Sequence, residues 1–412
     1  MVKRVVITGL GVISPVGIGQ DEFWQNLIAG KSGVGPVTRF DVSEMPTKIA
    51  AEVNDFDPSL YLDRKEARRM DRFAQFAVAA AKLAVQDAKL ELEPEDKDRV
   101  GVVLGCGIGG VGTFEDQKET LMNRGPGRVS PFFVPMLISN MAAGHISINM
   151  GLHGVSNTVV TACASATNAV GEGLRLLQHG DLDVCLTGGT EAPLTPLAFA
   201  GFCAAKAMST RNDEPTLASR PFDKERDGFV MGEGAGILVL ETLDHALARK
   251  AHIYAEVVGY GSSCDAYHMT AVAPGGVGAA KAMRNAINDA GLQPQDISYI
   301  NAHGTSTDLN DTNETAAIKS VFGPNAKNLA ISSTKSMTGH LMGASGAIEL
   351  VACAKAVEND IVPPTINLTT PDPECDLDYV PNEARKMSVK ATMSNSFGFG
   401  GHNACVVLQK YE

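Results

Sequence analysis

Short apolar runs alternate with helix-compatible stretches from one end of this chain to the other. That alternation restricts the fold more than any other feature, because repeated strand–helix units build layered α/β sheets. In the first part, strands are expected at Arg4–Thr8, Arg99–Leu104, Ser156–Val160, Val184–Thr187 and Ala235–Leu240. The glycines that follow the first of these, up to Gly11, read as a turn. Helices are expected at Asp21–Ala29, Arg64–Asp87 and Ala164–His179, the last with Gly171 and Gly173 placed for close packing on a neighbour. The second part repeats the order. Strands are expected at Ala255–Tyr260, Ser298–Asn301, Leu329–Ser332, Lys390–Ser394 and Ala404–Leu408, and helices at Gly278–Ala290, Asn310–Phe322 and Gly346–Asn359. Ile237–Leu240 and Cys405–Leu408 each close a half after a glycine-rich turn. The expected division is into two similar α/β halves, residues 1–250 and 251–412.

A chain of 412 residues exceeds a typical single core, which fits this doubling. Its 44% hydrophobic and 20% charged content is that of a folded soluble enzyme. A formal net charge of −12 argues against a general nucleic-acid binder. No apolar run reaches membrane-spanning length, and Met1–Gly11 reads as structure rather than as a signal peptide. The 8 cysteines show no CxxC and no zinc-ligand spacing, so no metal site is expected. Dispersed cysteines fit a reducing cytoplasm, most of them as small buried residues.

One cysteine stands apart. Ser156–Val170, SNTVVTACASATNAV, places Cys163 between a strand end and a helix start, among small side chains. A helix N-terminus there would favour the thiolate and offer free N–H groups to an oxyanion, as at a nucleophile elbow. A thiol nucleophile also needs donors for developing negative charge. Of the 9 histidines, His303 in NAHGTST and His340 in SSTKSMTGHL lie beside glycine at strand-end loops rich in hydroxyls. His153, His179, His245 and His252 read as structural or solvated, and His145 and His268 fit either role. Two glycine-rich segments invite phosphate readings. GCGIGG at Gly105–Gly110 matches GxGxxG but lacks the downstream acidic residue, and GFGG within Ser394–Asn403 lacks the phosphate-loop lysine, so both are rejected.

Taken together, these segments resemble the β-ketoacyl-acyl-carrier-protein synthase family, close to the elongating type II enzymes of bacteria. The resemblance covers essentially the whole chain. It rests on RVVITGLGVISPVG, SPFFVP, TACASA, SRPFDKERDGFVMGEGAG, NAHGTST, STKSMTGHLMGASG and NSFGFGG in that order. It implies a thiolase-like fold of two pseudo-symmetric halves, with sheets layered between helices, and a homodimer. It implies fatty-acid elongation by decarboxylative condensation, on substrates carried by the phosphopantetheine of acyl carrier protein, with no other cofactor. By the same resemblance Cys163 takes the acyl chain, His303 and His340 assist malonyl decarboxylation, and the amides of Cys163 and Phe399 form the oxyanion hole. Lys335 and Glu349 carry over as a supporting pair. Thr270, Thr305 and Thr307 match pantetheine contacts. Ile108, Phe133, Phe202 and Phe399 match positions around the acyl pocket.

Carrier docking in this family uses a basic surface. Arg64–Arg72, RKEARRMDR, carries 5 basic and 2 acidic residues, 5 − 2 = +3. As one helix it would project Lys65, Arg68, Arg69 and Arg72 largely to one side, with Arg124, Arg128 and Lys206 as extensions. Asp308, where proline is expected, and His402, where threonine is frequent, depart from the family pattern. A type I elongating synthase or a polyketide ketosynthase subunit shares these motifs. A non-catalytic chain-length partner subunit does not, because it lacks the nucleophile that Cys163 supplies.

Overall fold

The computed structural model describes residues 2–412. Ten strands form the main path of one sheet: β1 (Val5–Ser14), β2 (Val100–Gly105), β3 (Ser156–Val159), β4 (Val184–Glu191), β5 (Gly234–Thr242), β6 (Ala255–Cys264), β7 (Tyr299–Asn301), β8 (Ala330–Ser332), β9 (Ala391–Gly398) and β10 (His402–Gln409). Their order is β8-β7-β9-β10-β6-β1-β5-β4-β2-β3.

The order contains one pattern twice. In the first half β1 pairs antiparallel with β5, β5 antiparallel with β4, and β4 and β3 both run parallel to β2. In the second half β6 pairs antiparallel with β10, β10 antiparallel with β9, and β9 and β8 run parallel to β7. The halves join where Val6 and Ile7 of β1 pair with Glu256 and Ala255 of β6. This is the duplicated α/β arrangement expected from the alternation of elements.

Helices cover the sheet in layers. α1 (Arg72–Asp87) packs outside the first half on β1 and β5. α3 (Val277–Asp289) packs outside the second half on β6 and β10, with α4 (Asp308–Phe322) against it. Between the halves lie α2 (Ser165–His179) and α5 (Ser345–Asn359), which touch each other and strands of both halves. α5 is buried from Ser345 to Val357, as a helix with sheet on both sides must be.

Two expectations are corrected. β1 does not turn at its glycines but continues to Ser14. Gly9 and Gly11 instead let α1 approach, since a Cβ on them would lie 2.3 Å and 1.9 Å from the carbonyl oxygens of Ala84 and Ala80. Gly259 and Gly261 of β6 meet Ala286 and Ala282 of α3 in the same way, both at 2.3 Å. The helix expected over Arg64–Asp87 is two: a single turn at Arg64–Ala67, then α1 from Arg72. Asp71 starts the second by accepting from the Phe73 N–H, and its other oxygen accepts from the Thr113 N–H and hydroxyl. Helices at Val111–Arg124, Met141–Met150 and Pro196–Ala204 are additional to those read from sequence.

Candidate active site

The parallel strands of both halves point their C-terminal ends at one cavity of about 610 Å³. Cys163, His303 and His340, far apart in the chain, all line it. Cys163 sits one residue before the end of a single 3-10 turn that leads from β3 into α2. The preceding Ala162 has φ 50°, a left-handed conformation costly for a residue with a Cβ. Side chains hold this bend. The Ser165 hydroxyl donates to the Ala162 carbonyl at 2.6 Å and accepts from the Thr161 N–H at 2.9 Å. Asn168 donates to the Thr161 hydroxyl at 2.7 Å and accepts from the Tyr260 hydroxyl at 2.7 Å.

The backbone amides of Cys163 and Phe399 lie near enough to the Cys163 sulfur to favour its thiolate form. Gly398 allows this approach, because a Cβ there would lie 2.6 Å from the Thr161 carbonyl oxygen and 3.0 Å from the Cys163 nitrogen. Helix-terminus stabilisation was expected to lower the thiol pKa. The balance falls the other way: burial pushes the Cys163 thiol up to about 11, against the downward pull of Lys335 and the two amides. The resting group is therefore a thiol, and proton removal needs a base.

A histidine faces that sulfur. His340 Nε2 lies 3.1 Å from Cys163 Sγ, and His340 Nδ1 lies 2.8 Å from the Ser345 hydroxyl. His303 stands edge-to-face to His340, ring centroids 5.4 Å apart. The Glu314 carboxylate fixes the His303 loop by accepting from the N–H groups of His303 and Gly304 at 2.9 and 2.8 Å. His303 Nδ1 is buried with no hydrogen-bond partner. Burial, and then the Lys335 ammonium, push both imidazoles well below the usual histidine range. Both rings are thus neutral, each with one N–H to donate. Lys335 pairs with Glu349 behind the cavity, both side chains 1% exposed. Glu349 is pushed upward by burial, against the pull of Lys335.

Of the remaining expected residues, Ile108, Phe202, Lys206, Thr270, Thr305, Thr307 and Phe399 line the same cavity. The Thr305 and Thr307 hydroxyls are 2.8 Å apart. Phe133 does not reach the cavity. It lies in a short helix, half-buried against Phe114, with ring centroids 6.5 Å apart. Lys65, Arg68, Arg69, Arg124 and Arg128 are exposed, and the Arg69 guanidinium lies 4.7 Å from the Phe132 ring centroid, which ties the Arg64–Ala67 turn to the segment after Arg128. Arg72 leaves this surface because the helix breaks before it. It points inward to Glu233, Nη2 to Oε1 2.9 Å.

Sequence reasoning missed Ser345, Glu314 and Asn168. Position could have found Ser345: Ala162–Cys163–Ala164–Ser165 and Met342–Gly343–Ala344–Ser345 are equivalent turns at the starts of α2 and α5, each opened by a residue of positive φ. No helix among the described residues is long and apolar enough to cross a membrane, and no three His, Cys, Asp or Glu side chains among them group to hold a metal ion.

Comparison with known proteins matches both halves. The family model "Beta-ketoacyl synthase, N-terminal domain" matches residues 2–246, and "Beta-ketoacyl synthase, C-terminal domain" matches residues 254–369. A Synechocystis sp. protein named 3-oxoacyl-[acyl-carrier-protein] synthase 2 is 56% identical over 410 residues, covering 100% of this chain and 99% of that one. A Staphylococcus aureus protein of the same name is 54% identical, with the same coverage. Among solved structures, "The ishigamide ketosynthase/chain length factor" superimposes with a TM-score of 0.95 at 40% identity, covering 100% of both chains. A type II PKS acyl-carrier protein in complex with its ketosynthase matches with a TM-score of 0.91 at 37% identity, again covering 100% of both.

Proposed function

This chain belongs to the β-ketoacyl synthase family, and from that premise we propose that it lengthens fatty-acyl chains by decarboxylative condensation of malonyl-acyl-carrier-protein with an acyl group held on Cys163. The observation that carries the reading is the 3.1 Å contact between His340 Nε2 and Cys163 Sγ, in a cavity that His303 also lines.

In the first half-reaction the Cys163 sulfur attacks the acyl thioester carbonyl. The new S–C bond forms as the proton passes to His340 Nε2. The amides of Cys163 and Phe399 hold the oxyanion. The bond to the pantetheine sulfur then breaks, and that sulfur takes the proton. In the second, the C–C bond to the malonyl carboxylate breaks and CO2 leaves with its carbon. The electron pair stays as an enolate, whose oxygen accepts from the N–H groups of His303 and His340. The enolate carbon attacks the acyl carbonyl on Cys163, and the tetrahedral intermediate releases the 3-oxoacyl product. The freed sulfur regains one proton from solvent. His340 acts first as acceptor and then as donor through Nε2, and the Ser345 hydroxyl supports both tautomers because it can accept from or donate to Nδ1.

Lys335, balanced by Glu349, keeps both imidazoles neutral. Thr270, Thr305 and Thr307 contact the pantetheine arm. Ile108, Phe202 and Phe399 wall the acyl chain. Phe133, outside this cavity, is not retained in that wall. Acyl carrier protein docks on Lys65, Arg68, Arg69, Arg124, Arg128 and Lys206, a reading supported by their exposure and by the carrier complex of the structural neighbour. A cytoplasmic homodimer of chains, each divided at residue 250 and needing no cofactor beyond the carrier's own arm, completes the proposal. The dimer is supported by the edge strand β3 with exposed Ile148, Val155 and Val160 around it.

Peptide mapping after incubation with acyl carrier proteins of several chain lengths tests the reading. The acyl group is expected on Cys163 alone, and the longest chain accepted reports the pocket limit. Acyl groups on Cys106 or Cys353 instead would overturn it.

A further inference from the structure

Glu191, the last residue of β4, is fully buried. Its carboxylate is surrounded by donors. The N–H groups of Gly107, Ile108, Gly109 and Gly343 reach it at 2.7, 3.1, 3.2 and 3.1 Å, and the Cys106 thiol lies at 3.5 Å. Three of these amides belong to one loop, the GCGIGG segment that the sequence offered and the chemistry left unused. That loop carries Ile108 to the cavity wall. The fourth belongs to the turn before α5, two residues from Leu341 and three from His340.

The space around the carboxylate is closed. A Cβ on Gly343 would lie 2.6 Å from Glu191 Oε2 and 2.4 Å from the Gly107 nitrogen, so this close stacking requires glycine. The other half contains a counterpart. Glu314 gathers the N–H groups of His303 and Gly304 in the loop after β7, as Glu191 gathers those of the loop after β2. One carboxylate holds the backbone beside His303, the other the backbone beside Ile108.

We infer that Glu191 is a positioning residue: it locks the Gly107–Gly109 loop to the Gly343 turn and thereby fixes Ile108 as the wall that selects acyl-chain length. The inference rests on the proposed acyl-transfer reading. The geometry supports it because a carboxylate can accept all four N–H groups, whereas no neutral isostere can. Its charge also acts on the neighbouring nucleophile, adding to the upward push on the Cys163 thiol.

The test is a double-mutant cycle of Glu191→Gln and Ile108→Ala, read as the ratio of kcat/KM for long over short acyl carriers. The substituted side chain would turn its own NH2 group toward backbone N–H donors, so the loop loses its anchor. Glu191→Gln alone is expected to change the ratio by on the order of tenfold. In the Ile108→Ala background it should change the ratio by less than about twofold, because the wall it positions is gone. An unchanged ratio in the folded single variant, or equal changes in both backgrounds, overturns the inference. Should Glu191→Gln fail to fold, hydrogen exchange of the unaltered enzyme decides: the Gly107–Gly109 amides are expected to exchange as slowly as those of β2, and rapid exchange there overturns the anchor. Absence of any acyl transfer to Cys163 in the unaltered enzyme would count against the acyl-transfer reading, while the exchange result still decides the anchor.

Discussion

At the scale of single residues, the proposed mechanism depends on keeping two buried histidines neutral beside a buried cation. Desolvation and Lys335 act in the same direction on both rings. Neutral imidazoles donate one N–H each without delivering a proton to the enolate. Removing one such donor costs on the order of 10²–10³ in rate. Both His303→Ala and His340→Ala are therefore expected to accept some acyl chain, His340→Ala more slowly because it also loses the proton acceptor beside Cys163, and both to decarboxylate malonyl thioester poorly. Release of CO2 from malonyl carrier at the unaltered rate in either variant would refute their role. The cation gives a second prediction with a definite sign. Lys335→Met combined with Glu349→Gln removes both charges without leaving a lone buried carboxylate. The histidine pKa values then rise, so the acid limb of decarboxylation moves to higher pH. The Cys163 pKa rises as well, so alkylation of the thiol at a fixed alkaline pH slows. Both profiles should shift upward; a downward shift of either contradicts the role assigned to Lys335.

At the scale of elements, most strands were legible because burial on both sides leaves an apolar run, and the two central helices because small and apolar residues fill their buried positions. Ser165–His179 and Ser345–Asn359 each start within one residue of where sequence placed them. The helix Val111–Arg124 was not legible, since only Thr113 in it is buried and no apolar stripe marks a face. The break at Arg68–Asp71 was hidden because charged residues fit a helix, and the capping carboxylate of Asp71 is held in place by Thr113, a residue distant in sequence. β1 was read short because a glycine in a sequence signals a turn or a close approach equally well, and only the helix behind it decides. Pairing of elements through buried charge was equally invisible. Glu233, 1% exposed in its side chain, binds Arg39 at 2.6 Å and Arg72 at 2.9 Å, tying the segment before α1 to the start of β5. The carboxylate is buried but both arginines keep partial exposure, so its loss leaves donors that water can reach and costs about 1–3 kcal/mol. Glu233→Ala is expected to lower unfolding free energy by that amount in urea titration, and a loss under about 1 kcal/mol would mean the arginines find other partners.

At the scale of the whole molecule, the duplicated sheet explains why the site could be named from sequence but not assembled from it. Cys163 comes from the turn after β3, His303 from the loop after β7, and His340 from the segment that leads into α5. They meet because the two halves are related pseudo-symmetrically and share α2 and α5 between them. The same architecture puts the cavity mouth on one face, where Lys206 lines it, and leaves the exposed Lys65 and Arg68 on a separate turn anchored by Arg69 on Phe132. The chain carries a formal net charge of −12, so on the proposed reading an acidic carrier would be repelled by most of its surface and drawn only to a local basic region. Complementary charge acts chiefly on association rate and is screened beyond about 8 Å at physiological ionic strength. Lys65→Glu with Arg68→Glu should therefore lower kcat/KM for carrier-bound substrate by on the order of tenfold at low salt, and by less as salt rises. Neither side chain touches the cavity, so a free pantetheine thioester, which needs no docking surface, should react at an unaltered rate. Equal losses for the two substrates would show that the Arg64–Ala67 turn supports the fold instead, and a carrier-specific loss that persists at high salt would point to shape rather than charge as what the carrier recognises.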